Sequence, residues 1–185
     1  MLDTAWSLMS EAVQDRRAPF HLPAVASITN DGNPSIRTVV LRGVEKNDRC
    51  IRFHTDKRAP KYTELLKNSA VSVHFYDGPN KTQIRLLATA SLNSGNNLAA
   101  DAWASSQRSS KLCYAAYLGP GTPVYEPPNA TKLSQVEIEK GFMNFCVVQL
   151  KISNMECLEL AADGHRRAIF DWSENDTVRG NWLSP

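Results

Sequence analysis

The sequence lacks the features that would place the chain in a membrane or on a nucleic acid. No stretch approaches the roughly 18 consecutive apolar residues that a membrane-spanning helix needs, and Met1-Leu2-Asp3-Thr4 has neither the basic region nor the apolar core of a signal peptide. The 21 Lys and Arg residues against 19 Asp and Glu give a net charge of only +2, far below the excess expected of a protein held on phosphates. We therefore predict a cytoplasmic protein without a membrane or nucleic-acid partner.

Cysteine is scarce and widely spaced. The four cysteines include no C-x-x-C pair, which argues against a zinc knuckle or a thioredoxin-type motif; they are Cys50, Cys113, Cys146 and Cys157. Buried, inert thiols are the favoured interpretation, although the count alone leaves two disulfides open. The sequence also shows no Ser/His/Asp arrangement and no metal site, and no side chain is singled out as a catalytic acid or base.

The size and composition predict one compact domain over residues 1–185. Hydrophobic residues make up 42% of the chain and charged residues 22%, as in ordinary globular proteins. Leu2, Trp6, Met9 and Val13 follow one another at steps of four, three and four, which predicts an amphipathic helix over residues 2–17, within an N-terminal segment 1–18.

From residue 20 onward, short runs rich in Val, Ile, Thr and Phe predict a mainly β structure. Pro60 predicts the start of a short helix that ends by Asn68. One or two helices are expected between residues 95 and 117. Ser134 and Glu137 have capping-box spacing, which predicts a helix up to Gly141. The short turns between the predicted strands favour a closed or nearly closed antiparallel barrel with peripheral helices over residues 20–185, with a sandwich as the alternative. The predicted strands are residues 24–29, 35–44, 50–55, 70–76, 82–92, 145–155, 156–161, 166–172 and 177–183, and turns include residues 77–80 and 174–176.

A strand with an arginine at each end, Arg37-Thr38-Val39-Val40-Leu41-Arg42, is the first candidate site. Residues five apart face opposite sides of an ideal strand, so both arginines cannot serve one ligand from one face without a bulge or a shared edge. Taken alone, this pattern favours two surface arginines.

The second candidate is the basic stretch His54-Thr55-Asp56-Lys57-Arg58-Ala59-Pro60-Lys61, at a strand end that leads into a helix. A helix N-terminus beside Lys and Arg offers the N–H donors and positive charge that a phosphate group requires. A solvated basic loop would give the same local sequence, so the motif alone does not decide between them.

The third candidate is Gln83-Ile84-Arg85-Leu86, in which Gln83 and Arg85 share one face of a strand. Together they offer several donors to a planar heterocycle that carries carbonyl groups, such as the pyrimidine edge of a flavin. The alternative is that both side chains point to water.

Taken in order, these three motifs and the closing W-x-E-N-D…W-L-S-P resemble the pyridoxamine 5′-phosphate oxidase-like, FMN-binding split-barrel family. The resemblance spans roughly residues 20–185 and is strongest for the oxidase-related FMN-binding domains. It implies a six-stranded antiparallel split β-barrel that forms a homodimer, with FMN at the subunit interface and a small-molecule substrate.

The same resemblance implies which residues hold FMN. The strand 37–42 would run along the isoalloxazine ring and ribityl chain, Arg58 and Lys61 would hold the phosphate beside His54 and Thr55, and Gln83 would lie next to the ring. Arg108 and Ser109 resemble a segment that reaches the cofactor of the partner subunit, and Arg166 or Arg167 corresponds to a basic residue in the same site. The implied cofactor set is Arg37, Thr38, Val39, Val40, Leu41, Arg42, His54, Thr55, Arg58, Lys61, Gln83, Arg85, Arg108, Ser109 and Arg167.

The resemblance is weaker for the substrate than for the cofactor. The true oxidases of the family carry lysine where this chain has Arg42, and their substrate-phosphate residues have no counterpart in the region 98–107. The expected function is therefore an FMN-dependent oxidoreductase with an unidentified small substrate. The alternatives are a non-catalytic module that binds or stores a flavin or another phosphorylated ligand, and a small RNA binder, which the near-neutral charge disfavours.

Overall fold

The computed structural model describes residues 1–127, 133–172 and 177–185. Within these ranges, nine strands form one antiparallel sheet, and five α-helices lie at its periphery. The strands are β1 (Ala24–Ile28), β2 (Pro34–Thr38), β3 (Gly43–Glu45), β4 (Cys50–Asp56), β5 (Ala70–Asp77), β6 (Thr82–Asn93), β7 (Phe145–Glu159), β8 (Arg166–Trp172) and β9 (Val178–Leu183). The α-helices are α1 (Leu2–Gln14), α2 (Pro60–Lys67), α3 (Asn97–Ala104), α4 (Arg108–Ala115) and α5 (Gln135–Lys140), and short 3₁₀ turns cover Pro19–His21 and Gly141–Asn144.

The long strand β7 organises the sheet. The strands follow the order β2-β1-β5-β6-β7-β4-β3, and the hairpin of β8 and β9 continues from β7. β7 has 15 residues. Those near its start pair with β4, those near its end pair with β8, and β6 pairs with β7 along nearly the whole length. A single strand therefore joins both halves of the fold.

Residues 39–42, which we term the crossing segment, carry the chain from one end of this strand order to the other. β2 pairs with β1, and the Val39 and Leu41 amides still donate to the carbonyls of Pro23 and His21, both at 3.0 Å. The Arg42 amide donates instead to Arg52 of β4, at 2.8 Å, and β3 then pairs with β4. The crossing segment thus changes its hydrogen-bond partner between Leu41 and Arg42.

Alternating side chains of the sheet build the core. In β6 the even-numbered residues from Ile84 to Ala90 are buried, and the intervening residues from Arg85 to Thr89 are exposed. Helix α1 presses Trp6 and Met9 into the same core, and the Trp6 ring meets Trp172 edge to face at 6.4 Å between centroids. The odd-numbered residues of β6 are left on the outer face of the sheet.

The mainly β class with peripheral helices is confirmed, and most predicted elements are present within two or three residues. The capping box of Ser134 and Glu137 starts α5 as expected. Three predicted strands differ from the structure. Residues 35–44 are divided by the crossing segment, and residues 145–155 and 156–161 belong to the single strand β7, which ends at Glu159. The sheet has nine strands, whereas the resemblance implied six. In the described ranges β2 and β3, at the two ends of the strand order, do not pair, so the sheet is not closed. The predicted turn at residues 174–176 lies outside the described residues.

The cysteines are all free thiols, and three of them are buried. Burial raises the pKa of the Cys146 thiol to about 11 and that of Cys157 to about 12, and it also raises the pKa of Cys50. Cys113, on α4, is exposed, so the expectation of buried thiols holds for three of the four.

No helix in the described parts of the chain has the length and apolar character needed to cross a bilayer.

Candidate functional site

Lys61, in the first turn of α2, is a half-buried cation. In the described part of the chain its ammonium group has neither a hydrogen bond nor an ion pair. Burial lowers the pKa of Lys61, and the nearby positive charge of Arg37 lowers it further, against smaller opposing effects of Glu64 and Asp56. A partly desolvated cation without a counter-ion is suited to bind an anion.

Arg37 belongs to an internal hydrogen-bond network beside Lys61. One terminal nitrogen of its guanidinium donates to Ser27 and weakly to the Val25 carbonyl, and the other donates to Ser35 at 2.6 Å and to Glu64 at 2.7 Å. The Glu64 side chain is only 7% exposed and also accepts from Ser27. The charge of Arg37 is therefore already balanced by a carboxylate of the same chain.

The guanidinium of Arg58 forms hydrogen bonds within the protein through all of its N–H groups. Its Nε and one terminal nitrogen hold both carboxylate oxygens of Asp56, at 3.0 and 2.7 Å, and its remaining N–H groups donate to the carbonyls of Tyr114, Ala116 and Tyr117. A guanidinium has five donors, so every one of them has an acceptor within the protein. Arg58 thus fixes the turn before α2 against the end of α4.

The remaining predicted residues near the crossing segment differ in exposure. Thr38 is exposed, Val39 and Val40 are half-buried, and Leu41 is buried in the core. Thr55 is also buried, and its hydroxyl donates to the Asp56 carbonyl at 3.4 Å.

Arg42 and His54 open into a cavity of about 500 Å³, which we term the basic cavity. It lies between the end of α1, the strand β4 and the connection from α3 to α4. Twelve described residues line it: Val13, Gln14, Arg16, His21, Arg42, Arg52, His54, Ala102, Ser105, Ser106, Gln107 and Ser110. Three are arginines and none is acidic, so the cavity is strongly positive.

The surroundings of His54 keep its imidazole uncharged. Burial lowers the pKa of His54 to about 4, and the charges of Arg42 and Arg52 contribute to the shift. The ring packs edge-on against Phe145, with centroids 4.8 Å apart. At neutral pH the imidazole is therefore uncharged, with one ring nitrogen able to donate a hydrogen bond and the other able to accept one.

Gln83, Arg85 and Arg167 lie on the outer face of the sheet, away from the core. The nearly buried Glu156 joins the two arginines, because it accepts from Arg85 at 2.6 Å and from Arg167 at 3.1 Å. Burial by itself raises the pKa of Glu156, but the hydrogen bonds from Arg167 and Arg85 outweigh that effect and hold the pKa below its usual value. Gln83 pairs with Leu158 of β7, two residues from Glu156.

Arg108 and Ser109 occupy the first turn of α4 and are both exposed. Arg108 donates to the Leu133 carbonyl at 2.9 Å. The predicted cofactor residues therefore fall into four groups within one chain: around the start of α2, at the basic cavity, on the outer face of the sheet and on α4.

Several charged residues in these groups were not predicted from the sequence. Arg52 could have been found, because it alternates with His54 along β4 and so shares its face. Glu64 follows Lys61 by one helical turn, a spacing that places both on one side of α2. Arg16 and Glu156 carry no local signal, since Gln107 lies 91 residues from Arg16 and Arg85 lies 71 residues from Glu156.

Residues 3–94 match the FMN-binding domain of the pyridoxamine 5′-phosphate oxidase family. A pyridoxine/pyridoxamine 5′-phosphate oxidase of Arabidopsis thaliana is 25% identical over 167 residues, which cover 86% of this chain and 83% of the relative. A corresponding oxidase of Gluconobacter oxydans is 35% identical over 85 residues, which cover 46% of this chain but only 40% of the relative.

Solved structures show the same fold. A pyridoxamine 5′-phosphate oxidase-related, FMN-binding protein of Nostoc punctiforme superposes with a TM-score of 0.79 at 18% identity, covering 99% of this chain and 96% of that one. PhzG of Burkholderia lata, solved with tetrahydrophenazine-1-carboxylic acid, has a TM-score of 0.72 at 18% identity, covering 100% and 91%.

The chain belongs to the pyridoxamine 5′-phosphate oxidase-like, FMN-binding split-barrel family. FMN is the cofactor of this domain, and the donor set at the start of α2 fits its phosphate, because Lys61 supplies an unpaired, partly desolvated charge there. None of the described residues form a cluster that could hold a metal ion.

His54 should make the stability of the fold depend on pH. The pKa of an imidazole is about 6.5 in an unfolded chain, and that of His54 is about 4 in the folded one. Between these values the unfolded chain binds more protons, so stability falls as the pH is lowered from 6.5 toward 4. We expect His54→Gln to reduce this loss, measured as the difference in urea unfolding free energy between about pH 7 and pH 4.5. His165→Gln, which removes an exposed imidazole, serves as the control. An unchanged difference in His54→Gln would contradict the assignment.

Proposed function

We propose that this protein is a homodimeric FMN-dependent oxidoreductase that acts on a small substrate, and that Lys61 provides the charge that holds the FMN phosphate. The unpaired, half-buried ammonium of Lys61 within the family's FMN-binding domain carries this proposal. FMN, when bound, supplies the redox chemistry. The chain supplies binding, orientation and electrostatics.

The two neighbouring arginines have different roles in this proposal. Arg58 positions Lys61, because its contacts with Asp56 and the Tyr114–Tyr117 carbonyls fix the turn from which α2 begins. Arg37 stays bound to Glu64 and adds positive potential, and its Nε, which has no acceptor among the described residues, is the donor left for a ligand. On the outer face, Gln83 and Arg85 are proposed to meet the flavin ring, together with Arg167.

Lys61→Ala should weaken FMN binding about tenfold or more, because a charge-assisted hydrogen bond to the phosphate is worth about 1.5–3 kcal/mol. Riboflavin has the same ring but no phosphate, so its affinity should not change. Quenching of flavin fluorescence during titration measures both dissociation constants. Lys67→Ala, at the other end of α2, is the control and should bind FMN like the wild type. Equal FMN affinity of Lys61→Ala and the wild type would refute the phosphate assignment.

The homodimer is supported by the outer face of the sheet. Ile36 and Leu87 are 70% and 52% exposed there, beside a mostly apolar cavity of about 460 Å³ that also contains Ala24, Ala26 and Ile169. An apolar surface of this kind is typical of a protein interface. In the proposed dimer, Arg108 and Ser109 of each chain contact the FMN of the partner.

The dimer predicts a mass of about 41 kDa in solution, twice the 20.6 kDa of the chain. Ile36→Glu with Leu87→Glu should shift the protein to the monomer, because each substitution would bury a carboxylate in the interface. Light scattering during size-exclusion chromatography measures the mass. Val136→Glu changes a side chain that is also 70% exposed but lies on α5, and it should remain dimeric. A monomeric wild type in the presence of FMN would contradict the proposal.

Turnover distinguishes an oxidoreductase from a module that only stores or senses a flavin. With FMN bound and oxygen excluded, we expect one class of small substrate to bleach the flavin absorbance, and admission of oxygen or another acceptor to restore it. The set to test includes amines, NADH, NADPH and small ring acids; PhzG was solved with an acid of the last type. Full FMN occupancy without bleaching by any of these compounds would favour the storage module.

A further inference from the structure

We propose that Glu156 sets the reduction potential of bound FMN, because it holds the two arginines that meet the flavin ring and offsets part of their charge. The inference rests on the proposed function, which assigns Arg85 and Arg167 to the ring. Glu156 is a positioning residue in this proposal. It was not predicted from the sequence, and the proposed function gives it no role.

Glu156 lies among the side chains that are assigned to the flavin ring. Arg85 of β6 pairs directly with Glu156, and Gln83 pairs with Leu158, the next residue of β7 on the same face. On the other side of β7, Leu158 pairs with Arg167. Side chains that are opposite or diagonal on neighbouring strands lie within reach of one another. The three predicted ring residues therefore surround this short stretch of β7.

One carboxylate holds both arginines. Oε2 of Glu156 accepts from a terminal nitrogen of Arg85 at 2.6 Å, and Oε1 accepts from Nε of Arg167 at 3.1 Å and lies 3.1 Å from one of its terminal nitrogens. The remaining nitrogens of the two guanidinium groups have no acceptor among the described residues. Each guanidinium therefore keeps donors for a ligand while Glu156 fixes its position.

The carboxylate is less accessible than the groups that it binds. The side chain of Glu156 is 9% exposed, whereas those of Arg85 and Arg167 are 53% and 30% exposed. Among the described residues that line the cavity of about 460 Å³ on this face, Glu156 is the only acidic one. The outer face thus presents two positive charges to a ligand, with one less exposed negative charge between them.

The charge of a flavin ring changes when it is reduced. Two electrons and one proton convert the neutral oxidised ring into a reduced ring that carries one negative charge at neutral pH. Positive charge beside the ring therefore favours reduced FMN and raises its potential, and a carboxylate there has the opposite effect. Because Glu156 offsets one of the two arginines, it holds the potential below the value that the arginines alone would give.

Glu156→Gln tests this inference, because it removes the charge but keeps a carbonyl oxygen that can accept from an arginine. We expect the preference of the protein for reduced over oxidised FMN to rise about tenfold, which raises the potential of this two-electron couple by about 30 mV. The affinity for oxidised FMN, whose ring is neutral, should change by no more than about threefold. The potential is measured without oxygen, by reducing the bound FMN together with a dye of known potential.

Two further variants give the sign of the effect. Arg85→Gln should lower the potential, because the remaining arginine is then fully offset by Glu156. The double variant, Glu156→Gln with Arg85→Gln, has the same net charge on this face as the wild type. Its potential should return most of the way to the wild-type value, which a loss of packing would not produce.

Asp171→Asn is the matched control. It also removes a carboxylate from the outer face, but Asp171 accepts from Asn154 at 2.6 Å and binds neither arginine. Its potential should equal that of the wild type. An equal shift in Asp171→Asn and Glu156→Gln would show a general effect of surface charge and would overturn the role of Glu156.

An unchanged or lowered potential in Glu156→Gln, or an unchanged or raised one in Arg85→Gln, would also overturn the inference. If Glu156→Gln does not fold, as checked by thermal unfolding, Arg85→Gln and the double variant decide by the sign of their shifts. A wild type that binds no FMN would refute the proposed function and this inference together. Bound FMN with equal potentials in the wild type and Glu156→Gln would overturn the inference alone.

Discussion

The switch of hydrogen-bond partner between Leu41 and Arg42 is the constraint on which the rest of this structure depends. Up to Leu41 the chain is bonded to β1 and the segment before it, and from Arg42 onward it is bonded to β4. The switch places Arg37 beside α2 and Arg42 beside α1, although only four residues separate them. The half-buried ammonium of Lys61 and the basic cavity are therefore connected by a short piece of backbone.

Charge pairing then decides what each region can do. Arg37 and Arg58 already have carboxylates, Glu64 and Asp56, which are almost completely buried, and breaking such a pair without replacement is costly. Lys61 and Arg42 have none among the described residues. The paired arginines stabilise the local structure, whereas Lys61 and Arg42 keep a positive charge that no described carboxylate balances. A count of basic residues in a motif cannot make this distinction, because it depends on carboxylates brought in by the fold.

Local sequence was sufficient for most elements of the fold. The capping box of Ser134, the proline that begins α2 and the alternation in β6 each act through nearest neighbours, so their predictions were accurate. The division of residues 35–44 was not predictable in this way, because it depends on two different strands that lie on either side. The same holds for the candidate site: Lys61 and Gln83 could be found from ordered motifs, whereas Glu156 and Arg16 are defined by partners 71 and 91 residues away.

The uneven exposure of the four thiols has a practical consequence. The thiols of Cys50, Cys146 and Cys157 are shielded and protonated at the pH used for alkylation, since burial raises the pKa of each. Only Cys113 is open to a maleimide reagent in the folded protein. It lies on α4, four residues after Ser109, so the natural sequence already provides a single attachment point for a fluorophore or spin label. Such a probe would follow the helix that carries Arg108 and Ser109 without any engineered cysteine.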